Sequence, residues 1–170
     1  MSVAPLHVVE FQHVTKRFGS FTVIRDVSFT VPDRPDHGEF VTILGPSGCG
    51  KSTVLRLIAG LRPHHPTSEG AVLVMGTPVG GPGADRGMVF QDYTSFDNRT
   101  VEDNVAFGLE CRGVPAGERR ERAREWIGKV GLDVKRDAPK YPSQLSGGMR
   151  QRVAIARALI LSPRIILMDE

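Results

Sequence analysis

Gly45-Pro46-Ser47-Gly48-Cys49-Gly50-Lys51-Ser52-Thr53 matches the phosphate-loop pattern G-x-x-x-x-G-K-[ST] without a gap. Ahead of it, Phe40-Val41-Thr42-Ile43-Leu44 is an apolar run that reads as a buried strand. Behind it, Thr53 leads into a helical pattern that carries Val54, Leu55, Leu57 and Ile58 toward a core. Strand, glycine-rich turn and helix in that order make a nucleotide-binding context. Glycines at both ends let the backbone curl so that successive N–H groups face phosphate oxygens, and a helix starting near Lys51 adds the positive end of its dipole. Lys51 then reaches the β- and γ-phosphates. The Ser52 hydroxyl suits Mg²⁺, which prefers octahedral oxygen ligation shared with phosphates.

Further along, Gln144-Leu145-Ser146-Gly147-Gly148-Met149-Arg150-Gln151-Arg152 stands before a helical run from Val153 to Leu161. Ser146 is a good N-cap, and Gly147 and Gly148 leave backbone amides uncovered, so this helix start suits an anion. A Ser-Gly pair also occurs at ordinary helix caps, and on its own the segment leaves both readings open.

Leu145-Ser146-Gly147-Gly148, placed after a phosphate loop and before Arg164-Ile165-Ile166-Leu167-Met168-Asp169-Glu170, resembles the signature motif and Walker B strand of ABC-type ATPases. The likeness runs from about Phe11 onward. It implies an α/β phosphate-loop NTPase core with an N-terminal antiparallel β-subdomain and an inserted helical subdomain. The divisions fall at about 1–91 for the β-subdomain and phosphate-loop core, 92–145 for the helical part, and 146–170 for the signature helix and Walker B strand. It also implies a homodimer in which Ser146, Gly147 and Gly148 of one subunit close on the γ-phosphate held by the phosphate loop of the other.

Other site residues follow from the same resemblance. Phe18, in Lys16-Arg17-Phe18-Gly19, matches the aromatic that stacks on adenine. Gln91 matches the glutamine whose carbonyl reaches Mg²⁺ or the attacking water, Asp169 the carboxylate that holds Mg²⁺ through a water, and Glu170 the carboxylate that polarises the attacking water. The implied reaction is γ-phosphoryl transfer from ATP to water, in which positioning and charge neutralisation carry most of the acceleration. Catalysis would rest on Glu170, Lys51 and Gln91, with Ser52, Gln91 and Asp169 around the metal.

Two features depart from the general pattern. Met149 stands where the wider family has Gln. The sequence ends at Glu170, before the further strand and switch histidine of the family, and the five histidines, His7, His13, His37, His64 and His65, all come earlier. The reading is of an ABC ATPase domain whose C-terminal strands are missing, leaving an unpaired sheet edge.

Gly81 to Gln91, Val105-Ala106-Phe107-Gly108-Leu109 and the LSGGMRQR run resemble the ATPase subunits of bacterial importers for nitrate, sulfonates and taurine, where Met149 is normal. The implied partners are transmembrane permease subunits and, indirectly, a periplasmic or extracellular substrate-binding protein. The implied location is cytoplasmic, peripheral on the inner face of the cell membrane. Tyr93, Phe96 and Phe107 are candidates for a groove that receives the permease, and core packing explains each equally well.

Composition sets outer bounds. A chain of 170 residues supports a substantial core, and a net charge of +3 without a Lys/Arg block interleaved with aromatics argues against a nucleic-acid groove. Cys49 and Cys111 have no metal or disulfide spacing. The histidine pair 64–65 lacks a third ligand nearby. No export signal opens the sequence, and no run approaches the ~20 apolar residues of a membrane span. Runs near Val8 to Val14, Phe21 to Val31 and Ala71 to Met75 read as strands. Thr100 caps a helix, and Gly117 to Val130 reads as an amphipathic helix with Trp126, Ile127 and Val130 inward. A GTPase or small-molecule kinase would leave the Ser-Gly-Gly helix start unexplained. A DNA-repair or chromosome-type ABC ATPase would carry long coiled-coil insertions that are absent between the two motifs. A nucleotide-binding fragment without turnover is the third reading.

Overall fold

The computed structural model describes residues 7–34 and 37–169. The chain divides into two compact units, with the boundary between Gly83 and Ala84.

The first unit is built on a long hairpin. Strands β1 (His7–Phe18) and β2 (Phe21–Pro32) pair antiparallel and turn at Gly19-Ser20, with Phe18 opposite Phe21. Gly19 has φ of 60°, which the first central position of a two-residue hairpin turn demands and glycine supplies without strain. β3 (Glu69–Val74) adds to the other side of β1 and β4 (Thr77–Pro78) to β3, giving the order β2-β1-β3-β4. The alternation read from sequence places Val9, Phe11, Val14, Val72 and Val74 in the core, where the Phe11 and Phe29 rings stack at 4.5 Å. Helix α1 (Lys51–Ala59) buries Val54, Leu57 and Ile58 and packs on β3.

The strand expected over residues 40–44 is not formed. Phe40 is 92% exposed and Leu44 85%, and no ladder among the described residues includes them. An apolar run becomes a strand only when a neighbour takes its backbone N–H and C=O groups and covers its side chains. Within these residues nothing does, so the correct reading is an extended lead into the phosphate loop.

In the second unit, β5 (Arg86–Val89) and β6 (Ile165–Met168) pair in parallel, with Arg86 opposite Ile165 and Val89 opposite Met168. Between them lie α2 (Val101–Cys111), α3 (Ala116–Lys129), the short α4 (Val134–Asp137), a 3₁₀ turn over Pro142–Gln144, and α5 (Gly147–Leu159). The helices pack by their periodicity. Val101, Val105 and Leu109 on α2, Ala123 and Ile127 on α3, Val153 and Ala156 on α5, and Ile160 at its C-cap form one buried cluster. Thr100 starts α2 as expected, its hydroxyl accepting from the Asp103 N–H at 3.1 Å. Trp126 and Val130 pack at the edge of the cluster, half-buried, while Ile127 is fully enclosed.

Candidate functional site

The phosphate loop lies in the first unit. Residues 41–49 are exposed, and Gly48 and Gly50 take φ of 80° and 101°, left-handed values that let the chain curl. A Cβ on Gly50 would lie 2.6 Å from the Ile24 Cγ2 at a φ that disfavours other residues, so that position needs glycine, whereas one on Gly45 would lie 2.6 Å from the Sγ of the exposed Cys49, which would have to turn aside. At Gly48 the surroundings are open. Lys51 turns back over the loop, its Nζ donating to the Gly45 and Pro46 carbonyls at 2.9 and 3.0 Å. Helix α1 begins at Lys51 with Gly50 as N-cap, no side-chain cap bond and no acid in its first turn. Among the described residues no cap or first-turn carboxylate balances its positive end, and the lysine holds a second positive charge beside it. Ser52 is half-buried in the first turn and Thr53 is buried. Pro46, Ser47 and Cys49 are exposed along the curl. These residues fit a polyphosphate in donor type, charge and access.

Phe18 sits at the tip of the hairpin that leans on this loop. Ile24, the β2 residue whose methyl meets Gly50, is opposite Lys16 in the ladder, two residues from Phe18. Between the Lys16–Ile24 and Arg17–Thr22 pairs, β2 carries the extra residue Val23, and such a bulge re-aims the side chains around it. Phe18 is 36% exposed, its ring edge-on to His64 at 5.3 Å, with the Lys16 ammonium 5.0 Å from its centroid. Sequence reasoning missed Lys16. Its partner Pro66 lies 50 residues away, beyond any local pattern.

In the second unit, Ser146 is the N-cap of α5 and its hydroxyl accepts from the Met149 N–H at 3.3 Å. Ser146, Gly147 and Gly148 are exposed, a Cβ on either glycine would meet nothing within 4 Å, and no acid occupies the first turn. This helix start is open, and it too fits an anion. Gln91 and Asp169 follow the ends of adjacent parallel strands: Val89 pairs with Met168, and the Asp169 N–H donates to the Val89 carbonyl at 3.0 Å. Ligands of open α/β sheets gather at the carboxyl ends of strands, where these two residues stand. Asp169 is 4% exposed and Gln91 is exposed. Glu170 lies outside the described residues.

For Mg²⁺, the hydroxyl of Ser52, the carboxamide of Gln91 and the carboxylate of Asp169 are hard oxygen donors of the right kind. Ser52 belongs to the first unit and the other two to the second. Among the described residues no cluster of three His, Cys, Asp or Glu side chains forms a metal cage.

The segment after Gln91 is held by a residue the sequence reading passed over. Asn104, fully buried on α2, accepts from the Phe96 N–H at 2.7 Å, and its two side-chain N–H groups are shared among the carbonyls of Phe96, Arg99 and Thr100 at 3.0, 3.0 and 2.9 Å. The available signal was a carboxamide on the apolar stripe between Val101 and Val105. Arg157 of α5 bonds the Thr94 carbonyl and lies 5.5 Å from the Phe96 ring centroid, and burial pushes its guanidinium pKa down. Thr94, Phe96, Phe107, Cys111, Arg157 and Leu161 line a mainly apolar cavity of about 600 Å³. Phe96 and Phe107, two of the three aromatics singled out for a partner groove, line it together, and their rings lie 4.5 Å apart. Tyr93 does not.

A family model described as ABC transporter matches residues 24–170. Among curated relatives, the chain is 61% identical over 132 residues to an uncharacterised ABC transporter ATP-binding protein of Methanocaldococcus jannaschii, covering 78% of this chain and 48% of that one. It is 50% identical over 165 residues to an Fe(3+) ions import ATP-binding protein of Brucella suis, covering 95% of this chain and 44% of that one. The Escherichia coli protein of the same name is 46% identical over 165 residues, with 95% and 45% covered. The chain thus spans about half the length of the curated relatives it matches. A solved dimeric ATP-binding cassette, in a post-hydrolysis state with ADP and Pi, superposes with a TM-score of 0.78 at 35% identity, covering 94% of this chain and 72% of that one.

Proposed function

Because the chain belongs to the ABC transporter family and carries its ATPase fold, we propose that it is the ATP-binding and ATP-hydrolysing part of a subunit that powers a membrane importer. The observation that carries this reading is the phosphate loop, an exposed curl with a lysine and an uncapped helix end directed at one place. Lys51, Ser52 and the amides of residues 45–50 bind and orient the triphosphate, and Phe18 stacks on the adenine. The open start of α5 supplies Ser146, Gly147 and Gly148 to the γ-phosphate of a second copy. Ser52, Gln91 and Asp169 would hold Mg²⁺, which when bound would supply neutralisation of phosphate charge. Glu170 orients the attacking water.

The cavity beside Phe96, Phe107 and Arg157 supports a permease as partner, with the chain peripheral on the cytoplasmic face. Among the described residues no helix is long and apolar enough to cross a membrane. The nitrate, sulfonate or taurine cargo expected from the motifs gains no support from the relatives above, two of which are named for Fe(3+) ions. We therefore assign an importer without assigning its cargo, and keep 1–91, 92–145 and 146–170 as its working parts.

The test is a mixed dimer of the full-length protein. Lys51→Ala removes a subunit's phosphate-loop charge, and Ser146→Arg fills its signature end. Each variant alone should be inactive, whereas a one-to-one mixture regains one complete site per mixed dimer and a fraction of wild-type phosphate release. No recovery on mixing, with both variants folded and dimeric, would sink the composite-site reading.

A further inference from the structure

Lys16 is an unusual tenant of a sheet. It is 7% exposed, and among the described residues it makes no ion pair. Among the described residues its ammonium donates to the Pro66 carbonyl at 2.8 Å and lies 5.0 Å from the Phe18 ring centroid. Burial of a cation without a carboxylate is unfavourable, and it pushes the Lys16 pKa below the ordinary lysine value. A strand that needed only a core side chain here would carry an aliphatic one.

The surroundings hold this ammonium in place. The loop that carries Pro66 is tied to β1 on both sides of Lys16: the Ser68 N–H donates to the Thr15 carbonyl at 2.8 Å and the Arg17 N–H to the Ser68 Oγ at 2.9 Å. Lys16 and Phe18 are two residues apart on β1 and so share a face, which brings the cation under the ring. The same Lys16 is opposite Ile24, the residue that abuts Gly50 of the phosphate loop. Loop, strand and ring are thereby joined through one residue.

We propose that Lys16 is a positioning residue for nucleotide binding, its ammonium, beside the edge-on His64 ring, fixing the Phe18 ring by a cation–π contact so that the exposed part of the ring presents to the purine base. The inference rests on the reading that Phe18 stacks on adenine. Lys16 itself touches no part of the nucleotide. A cation over one face draws electron density toward itself and orients the ring, and its effect is confined to ligands that carry a base.

The experiment compares affinities for ATP and for inorganic tripolyphosphate, which has the phosphates and no base, in the full chain and its variants. Phe18→Ala should weaken ATP roughly tenfold or more and leave tripolyphosphate unchanged. Lys16→Met and Lys16→Gln should weaken ATP about fivefold, again with tripolyphosphate unchanged, while Lys16→Arg keeps the cation and stays within about twofold of wild type. Gln retains a donor for the Pro66 carbonyl, so it separates the charge from the hydrogen bond and stands in if the Met variant does not fold. Unchanged ATP affinity in Phe18→Ala would overturn the stacking reading and this inference with it. Loss in Phe18→Ala but none in the neutral Lys16 variants would overturn the role of Lys16 alone. Equal weakening of both ligands would reduce Lys16 to a structural part and overturn the inference.

Discussion

Replacing Asn104 with Ala removes the side chain that holds the segment following Gln91. Its Oδ1 accepts from the Phe96 N–H at 2.7 Å, and the two N–H groups of its Nδ2 are shared among the carbonyls of Phe96, Arg99 and Thr100 at 2.9–3.0 Å, with no exposed surface. Alanine leaves the Phe96 N–H without its acceptor, a loss of roughly 1–3 kcal/mol for a buried donor. Two donated bonds are lost from the three carbonyls that share them, and the Thr100 carbonyl keeps the backbone bond from the Asn104 N–H itself. Counting the donated bonds at the low end of about 0.5 kcal/mol each gives a total of about 3 kcal/mol, or roughly a hundredfold in the opening equilibrium. Denaturant unfolding of wild type and variant gives the first readout. Amide hydrogen exchange at Phe96 gives the second, and there the loosening should be concentrated while the amides of β1 keep their protection. A loss under about 0.5 kcal/mol with unchanged exchange at Phe96 would refute the reasoning, because the carboxamide's bonds would then be worth nothing over water.

Gly60 ends α1 at φ of 73°, and a Cβ there would stand 2.2 Å from the Gly81 carbonyl oxygen, so Gly60→Ala should lower the melting temperature by several degrees, from a loss of roughly 2 kcal/mol or more. A wild-type melting curve would contradict it. Ile127→Ala empties a fully buried site among α2, α3 and α5 and should cost about 2–5 kcal/mol by denaturant unfolding. Asp137 is fully buried and accepts from Arg136 and Lys140 side chains and from the Asp133 N–H; the Arg136 pair first, then Lys140, holds its carboxyl far below the usual carboxylate range. A depressed folded-state pKa contributes stability that is present above the unfolded value near 4 and is lost as pH falls below it. Unfolding free energy against pH should therefore decline below about pH 4 in wild type and flatten in Asp137→Asn; parallel curves would show that the pair is not responsible. In a Cys111→Ser background, alkylation of the exposed Cys49 should abolish ATP binding, and prior ATP should slow the alkylation. Labelling that proceeds equally with and without ATP would place the nucleotide elsewhere.

Much of the fold was written in local patterns. The alternation in β1 and β2 and the Thr100 cap each depend on residues within a few positions of one another, and the structure has them where the pattern says. The phosphate loop and the Ser146 helix start were legible for the same reason, being contiguous motifs. Residues 40–44 were not, because an apolar run reports a wish for burial and says nothing of whether a neighbouring strand is there to satisfy it. Lys16 and Arg157 escaped because their partners are Pro66 and Thr94, 50 and 63 residues away. Asn104 was within reach, since a carboxamide in an apolar stripe needs a backbone to bind.

The central claim is that a triphosphate sits on the curl of residues 45–53, and the most direct measurement is calorimetric titration of Mg-ATP into the full chain and its Lys51→Ala variant. With the lysine's charge-assisted bonds transferred from the Gly45 and Pro46 carbonyls to phosphate, binding by the variant should be weaker by about 2 kcal/mol or more, some thirtyfold. Equal affinity in the two proteins, both folded, would contradict the account.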